Sequence, residues 1–222
     1  MWLDVVVEIV AMTDRGAAIA ASRSKRAFDV VFSGVGLLVT SPIWLVLSLA
    51  VKLQDGGSVF FRQDRSGLGG RTFDVVKFRS MRVDAERGGA KQAVTDDPRI
   101  TRLGKWMRAT AMDELPQLWN IFIGDMSVVG PRALRPGEIE AHGAGMFERL
   151  EDVPGFRDRS SVRPGLTGVA QIYADRTLPR RQKFRYDRLY IRRQSFELDV
   201  RLVVLSLWIS VSGAWERRGR HP

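Results

Sequence analysis

A chain of 222 residues with 45% apolar and 27% charged side chains makes one sizeable domain or two small ones, and excludes a disordered chain or a many-span membrane protein. Thirty-five Lys and Arg against 25 Asp and Glu leave a net charge of +10, which favours an anionic partner: nucleic acid, anionic lipid headgroups or a phosphorylated substrate. With no cysteine and only two histidines, His142 and His221, disulfides, thiolate metal sites, cysteine nucleophiles and histidine triads fall away, so any metal must sit on oxygen ligands.

Residues 1–22 form an N-terminal extension of unassigned role; Asp4 and Glu8 inside its apolar part, with no basic residue before them, argue against a secretory signal. Val30 to Val51 then carries no charge for 22 residues, about 33 Å of helix against a bilayer core of about 30 Å. Ser41-Pro42 falls near its middle, where proline removes a backbone donor and bends a helix into two arms too short to cross alone. Basic residues flank both ends, with Arg23, Lys25 and Arg26 before and Lys52, Arg62, Arg65 and Arg71 after, so charge does not separate two sides. The pattern admits a plain transmembrane helix with a tolerated proline, a re-entrant helix over 23–53 that enters and leaves on one face, or a buried soluble helix.

Asp55-Gly56-Gly57 stops this helix, and SVFFRQDR and RTFDVVKF read as two strands joined by the glycine-rich turn at 67–70. No helix follows that turn, so it closes a hairpin rather than cradling phosphate. Met81 to Thr95 is polar and reads as an exposed loop, and Asp96-Asp97-Pro98 as a turn more readily than as a second acidic site. A helix is predicted from Ile100 to Arg108, and another from about Asp113 until Gly124 ends it. Turns follow at Gly130-Pro131-Arg132 and at 163–168, then a basic helix from Arg180 to Arg193. Leu202 to Trp215 is uncharged for 14 residues, too short to cross a bilayer. Trp208 and Trp215, followed by Arg217, Arg218 and Arg220 in a basic tail at 216–222, suit an interfacial anchor, with core packing the equal alternative.

The strongest chemical signal is Asp113-Glu114-Leu115-Pro116-Gln117. Proline is tolerated only in the first turn of a helix, so Pro116 places both carboxylates at a helix start, where free N–H groups favour an anion. Neighbouring positions do not share a helix face, which gives the pair different jobs, one nucleophile and one assisting group. The alternative is an N-cap Asp with a dipole-matched Glu and no catalysis. Lys77, Arg79 and Arg82 in VVKFRSMR, with Arg108 and Arg132, could be solvated surface charges one by one; together they read as a phosphate site.

Several motifs stand in order: Lys25-Arg26 with Asp29, Ser41-Pro42, Asp55-Gly56-Gly57 with Val59-Phe60-Phe61, Lys77-Phe78-Arg79-Ser80-Met81, the acidic segment with Asn120, the stretch from Gly124-Asp125-Met126-Ser127 to Gly130-Pro131-Arg132, and Arg163-Pro164-Gly165-Leu166-Thr167-Gly168. On these the chain, from about Lys25 to Leu205, resembles the bacterial sugar transferases, specifically the small monotopic phosphoglycosyl transferases. The resemblance implies transfer of a phosphosugar from a UDP-sugar to a polyprenol phosphate such as undecaprenyl phosphate, with Mg²⁺ and release of UMP. Asp113 would be the nucleophile and Glu114 its assistant, both close to the metal; Lys77, Arg79, Arg132 and Arg108 would bind phosphate; Ser41 and Pro42 would kink the membrane helix.

The fold expected is α+β, mostly helical and monotopic, with one re-entrant helix, a short β-hairpin and surface-lying amphipathic helices in a catalytic domain over 54–215. That domain would lie on the cytoplasmic face of the bacterial inner membrane, in contact with the bilayer and without nucleic acid, and a homo-oligomer stays open. The competing reading is a non-catalytic basic module that binds membrane or nucleic acid. One departure stands out: Pro131-Arg132-Ala133 occupies the place of the family's Pro-Arg-Pro, which predicts a looser loop under Arg132.

Overall fold

A computed structural model describes residues 23–85, 87, 97–142, 146–175, 178–213 and 215. The extension at 1–22, most of the polar stretch at 86–96 and the basic tail lie outside the described residues.

Helix α1 runs from Arg23 to Asp55, two residues beyond the expected end, with Pro42 inside it. Helical structure continues through the proline. Pro42 cannot donate to the carbonyl four residues back, that of Leu38, and the Ser41 hydroxyl donates to that oxygen instead at 2.8 Å. The buried residues Asp29, Ser33, Leu47 and Val51 recur at helical spacing and trace one stripe along the helix. Val31, Leu38, Val39, Leu45, Val46, Leu49 and Leu53 are exposed on the remaining surface.

Strands β1 (Phe60–Ser66) and β2 (Thr72–Phe78) form the expected antiparallel hairpin, with Phe61 opposite Lys77 and Arg65 opposite Phe73. Alternation sends Phe61, Gln63 and Arg65 to the same face as Phe73, Val75 and Lys77. This is the inner face, and Val75 is buried in it. At one end of the hairpin Phe60 and Phe78 stack on each other and both touch Trp44 of α1. The other end docks on the segment around Leu134, whose carbonyl accepts from Ser66 N at 2.8 Å.

Helix α2 (Arg102–Ala109) is capped by Thr101, whose side chain accepts from Gly104 N. A 3₁₀ turn, Met112–Glu114, precedes α3 (Gln117–Ile123). The acidic pair therefore sits one turn before the α-helix rather than on its first turn. Strand β3 (Ser127–Val129) pairs in parallel with β6 (Gly165–Thr167), and β4 (Ile139–His142) pairs with β5 (Met146–Arg149); neither pair was anticipated. Short helices α4 (Phe156–Arg159) and α5 (Val169–Tyr173) lead to α6 (Arg180–Arg193), at its expected bounds, and to α7 (Phe196–Val211).

The main core gathers Leu118 and Ile121 of α3, Val128 and Val129 of β3, Tyr190 of α6 and Leu202 of α7. A second cluster joins Leu47 and Val51 of α1 to Phe78 and Met107, and a third holds Leu134, Leu150, Val153 and Phe184. Helix α7 packs in the core through Leu202, Val203 and Ile209, which are buried, and leaves Leu207, Trp208 and Val211 exposed.

Candidate active site

The acidic pair is held by long-range hydrogen bonds. Asn120, 2% exposed, accepts from Val76 N through Oδ1 and donates to Asp74 O through Nδ2, at 3.2 and 2.7 Å. These bonds fasten α3 across β2 beside Lys77. The C-terminal end of α3 is closed from outside: Arg26 donates to the Ile121 and Phe122 carbonyls, each at 2.7 Å, and Arg163 to Gly124 O at 2.9 Å. Three carbonyls left open by the helix end thus meet guanidinium donors. Gly124 turns out of the helix at φ +102°, a conformation that glycine adopts without steric cost.

The chain enters the site through Ala111, at φ +57° the one positive-φ non-glycine among the described residues. Left-handed alanine stores strain, and such residues persist where the surroundings fix them. Next come Asp113, buried at 8% exposure, and Glu114, whose Oε1 accepts from both Lys77 Nζ and Arg132 Nη2, the latter at 3.1 Å. Asp113 carries no ion pair or hydrogen bond to its carboxylate among the described residues.

The two carboxylates are driven apart in acidity. Burial pushes Asp113 up to about 6, aided by the Glu114 charge and opposed by Lys77, Arg108 and Arg132. Burial would raise Glu114 as well, but the charges and hydrogen bonds of Lys77 and Arg132 hold it well below the usual carboxylate range. Glu114 is a fixed anion, and Asp113 a desolvated carboxylate that ionises just below neutrality.

Arg132 stands on a gripped loop. The carbonyls of residues 131 to 134 are each taken by a different donor: Gly165 N at 2.8 Å, Arg159, Arg65 at 3.1 Å and Ser66 N at 2.8 Å. Arg159 is 7% exposed, pairs with Asp187 at 3.1 Å and stacks on Phe184. Where looseness was expected from Ala133, four hydrogen bonds to the carbonyls of residues 131 to 134 fix the backbone under Arg132.

Lys77, Arg132 and Arg108 thus surround the acidic pair, Arg108 acting through space from the last turn of α2. Arg79 goes elsewhere: its guanidinium forks onto Asp55 at the end of α1, with Nη1 to Oδ2 at 3.0 Å. Ser41 and Pro42 stay in α1. Asn120, Arg159 and Asp187 were not picked out for these roles, since nothing local in the sequence marks partners 28 to 46 positions away.

No group of three acidic or histidine side chains gathers among the described residues. Asp113 and Glu114 fit Mg²⁺ in its usual manner, one or two carboxylates completed by substrate phosphates and water, and the undonated Asp113 oxygens leave lone pairs for it.

A desolvated carboxylate beside a fixed ion-pair cluster, on a domain with an exposed apolar helix, is the class of site that phosphate-handling enzymes use. Comparison gives the class its family. The chain belongs to the bacterial sugar transferase family, which it matches over residues 20–213. It is 42% identical over 185 residues to the exopolysaccharide production protein PSS of Rhizobium leguminosarum bv. phaseoli, covering 81% of this chain and 90% of that one. It is 41% identical over 189 residues to the UDP-glucose:undecaprenyl-phosphate glucose-1-phosphate transferase of Escherichia coli (strain K12), covering 83% and 39%. To the UDP-N-acetylgalactosamine-undecaprenyl-phosphate N-acetylgalactosaminephosphotransferase of Aeromonas hydrophila it is 36% identical over 192 residues, covering 85% and 44%. The chain therefore spans most of the first relative and less than half of the other two.

Proposed function

We propose that this enzyme transfers a sugar 1-phosphate from a UDP-sugar to a polyprenol phosphate such as undecaprenyl phosphate, through a covalent phosphosugar on Asp113. The observation that carries this is the divergence of the two neighbouring carboxylates, Asp113 undonated and raised to about 6, Glu114 locked by Lys77 and Arg132. The Asp113 oxygen bonds to the sugar-bearing phosphorus while the P–O bond to UMP breaks, its electron pair leaving on UMP. A polyprenol phosphate oxygen then attacks the same phosphorus and returns Asp113 as a carboxylate. One phosphoanhydride is broken and another formed, so no ATP is required, and catalysis is positioning plus charge neutralisation. Lys77 and Arg132 hold Glu114 and face the phosphoryl oxygens. Mg²⁺ held by Asp113, Glu114 and the substrate would supply further neutralisation of those oxygens.

The lipid acceptor fits α1, the one described helix long and apolar enough to cross a membrane. We read α1 as re-entrant because both of its ends bind the same domain. Lys25 pairs with Asp199 at 2.6 Å and Asp29 accepts from Ser127 and Val128 N at 2.9 Å. At the far end Leu47 and Val51 enter the core and Asp55 receives Arg79. A straight crossing of about 30 Å would carry one end to the opposite face. This supports a seat on one face of the membrane, and a nucleotide-sugar donor, made in the cytoplasm, supports the inner one.

Purified enzyme in detergent with Mg²⁺ and undecaprenyl phosphate should release UMP from at least one UDP-sugar in a panel, and Asp113→Asn should not. Absence of UMP with every donor, or full release by the variant, rejects the reading.

A further inference from the structure

Arg65 has no part in the chemistry above, yet it lies on the inner face of the hairpin that carries Lys77. Its Nη1 donates to Ala133 O, the carbonyl next to Arg132, at 3.1 Å, and its Nη2 to Gln63 Oε1. Neither Arg65 nor the neighbouring Arg135 has a carboxylate within ion-pairing distance among the described residues. The nearby Glu138 is already taken by Arg180 at 2.9 Å. Burial, then the charges of Arg132 and Arg135, lower Arg65 to about 10, the sign of a cation crowded by cations. Desolvated positive charge without a counter-ion is costly in the free protein, and a bound anion relieves it.

The hairpin also says on which side the anion lies. Lys77 is opposite Phe61, at the end where Phe60 and Phe78 meet Trp44 of α1. Arg65 is four residues further along β1, roughly 13 Å at 3.3 Å per residue, at the end docked on Leu134 and Ser160. Glu114 pairs with Lys77 and also acts through space on Arg65. On the re-entrant reading of α1 the lipid tail would lie along that helix, which leaves the opposite end of the hairpin to the uridine half of the donor.

We propose that Arg65, beside Arg132, binds the nucleotide phosphate of the donor, the one that departs with UMP. This rests on the transferase reading above. As the P–O bond to UMP breaks, the charge that collects on the leaving oxygen falls in the field of these two guanidinium groups, with no proton or electron transfer needed.

The test uses the full chain in detergent, with UMP and uridine as competitive ligands and undecaprenyl phosphate as acceptor. Arg65→Met should weaken UMP binding and raise the UDP-sugar KM by about tenfold or more, as loss of a charge-assisted hydrogen bond implies. Uridine binding and the lipid KM should stay within about twofold, a shift too small for loss of a charged contact. Arg65→Lys keeps the charge but loses the fork on Ala133 and Gln63, and should retain UMP binding within about threefold, as a point charge still attracts phosphate. Unchanged UMP binding in Arg65→Met overturns the proposal, as does a loss that falls on the lipid KM instead. Parallel loss of UMP and uridine with a lowered melting temperature in both variants overturns it too, leaving Arg65 as a loop brace. A wild-type protein that neither binds UMP nor releases it fails at the transferase reading itself, before Arg65 is in question.

Discussion

Asp113 and Glu114 are neighbours in the chain that titrate in opposite directions, because Lys77 and Arg132 spend their charge on Glu114. If ionised Asp113 is the nucleophile, kcat/KM should fall tenfold per pH unit below about 6. Lys77→Met removes a charge that favours ionisation, and should move that limb to higher pH; Glu114→Gln removes an opposing charge and should move it lower. Stability follows the same linkage. The folded value for Asp113 lies above its ordinary value of 3.8, so ionisation costs nothing at pH below about 4, a growing amount between 4 and 6, and the full amount above. Asp113→Asn should therefore unfold at a higher temperature than wild type at pH 8, in EDTA, by the equivalent of about 2–3 kcal/mol, with the gain shrinking toward pH 4. The pair was legible in the sequence because adjacent acids before a proline are a local pattern. That Arg79 would serve Asp55, 24 positions away, was not, since no spacing rule links a strand end to a distant helix end.

Two parallel three-residue strands, β3 and β6, set the loop of Arg132 against Gly165. A methyl group on Gly165 would lie 2.0 Å from Gly130 N, and backbone on both sides cannot step aside. Gly165→Ala should lower stability by about 3 kcal/mol or more, read as a drop in melting temperature, and should take UMP release down with it. Helices α1, α2, α3 and α6 and the first hairpin could be read from periodicity and from Pro116, Gly124 and the glycines at 67–70, whereas the four- and five-residue α4 and α5 could not. Strands of three and four residues are too short to show alternation, so β3, β4, β5 and β6 left no trace in the pattern. In helix α1 the proline was legible as the loss of one backbone donor, but not that the Ser41 hydroxyl would take up the Leu38 carbonyl in its place.

Taken whole, the molecule is a basic domain with a long apolar helix fixed to it at both ends, and further exposed apolar side chains such as Trp119 of α3 and Trp208 of α7. Because the chain has no native cysteine, single cysteines report topology cleanly. Arg23→Cys and Gln54→Cys, at opposite ends of α1, should both react with an impermeant thiol reagent from the same face of sealed inverted vesicles. Labelling from opposite faces would mean a straight span, and the docking of both ends on one domain could not then persist. Composition pointed to an anionic partner and the uncharged stretch to a helix of membrane length; the ion pairs that tie this helix to the domain became visible only in three dimensions.

The central claim is that a bond forms between Asp113 and the phosphosugar before the lipid acts. The most direct measurement mixes enzyme with UDP-sugar and Mg²⁺ in the absence of polyprenol phosphate, then weighs the intact protein and its peptides by mass spectrometry while following UMP. A covalent intermediate on Asp113 gives close to one UMP per enzyme, a sugar-phosphate mass increment on the peptide containing Asp113, and its disappearance when undecaprenyl phosphate is added. No increment and no UMP until the lipid arrives, in a preparation that turns over fully with both substrates, would mean direct transfer and would contradict it.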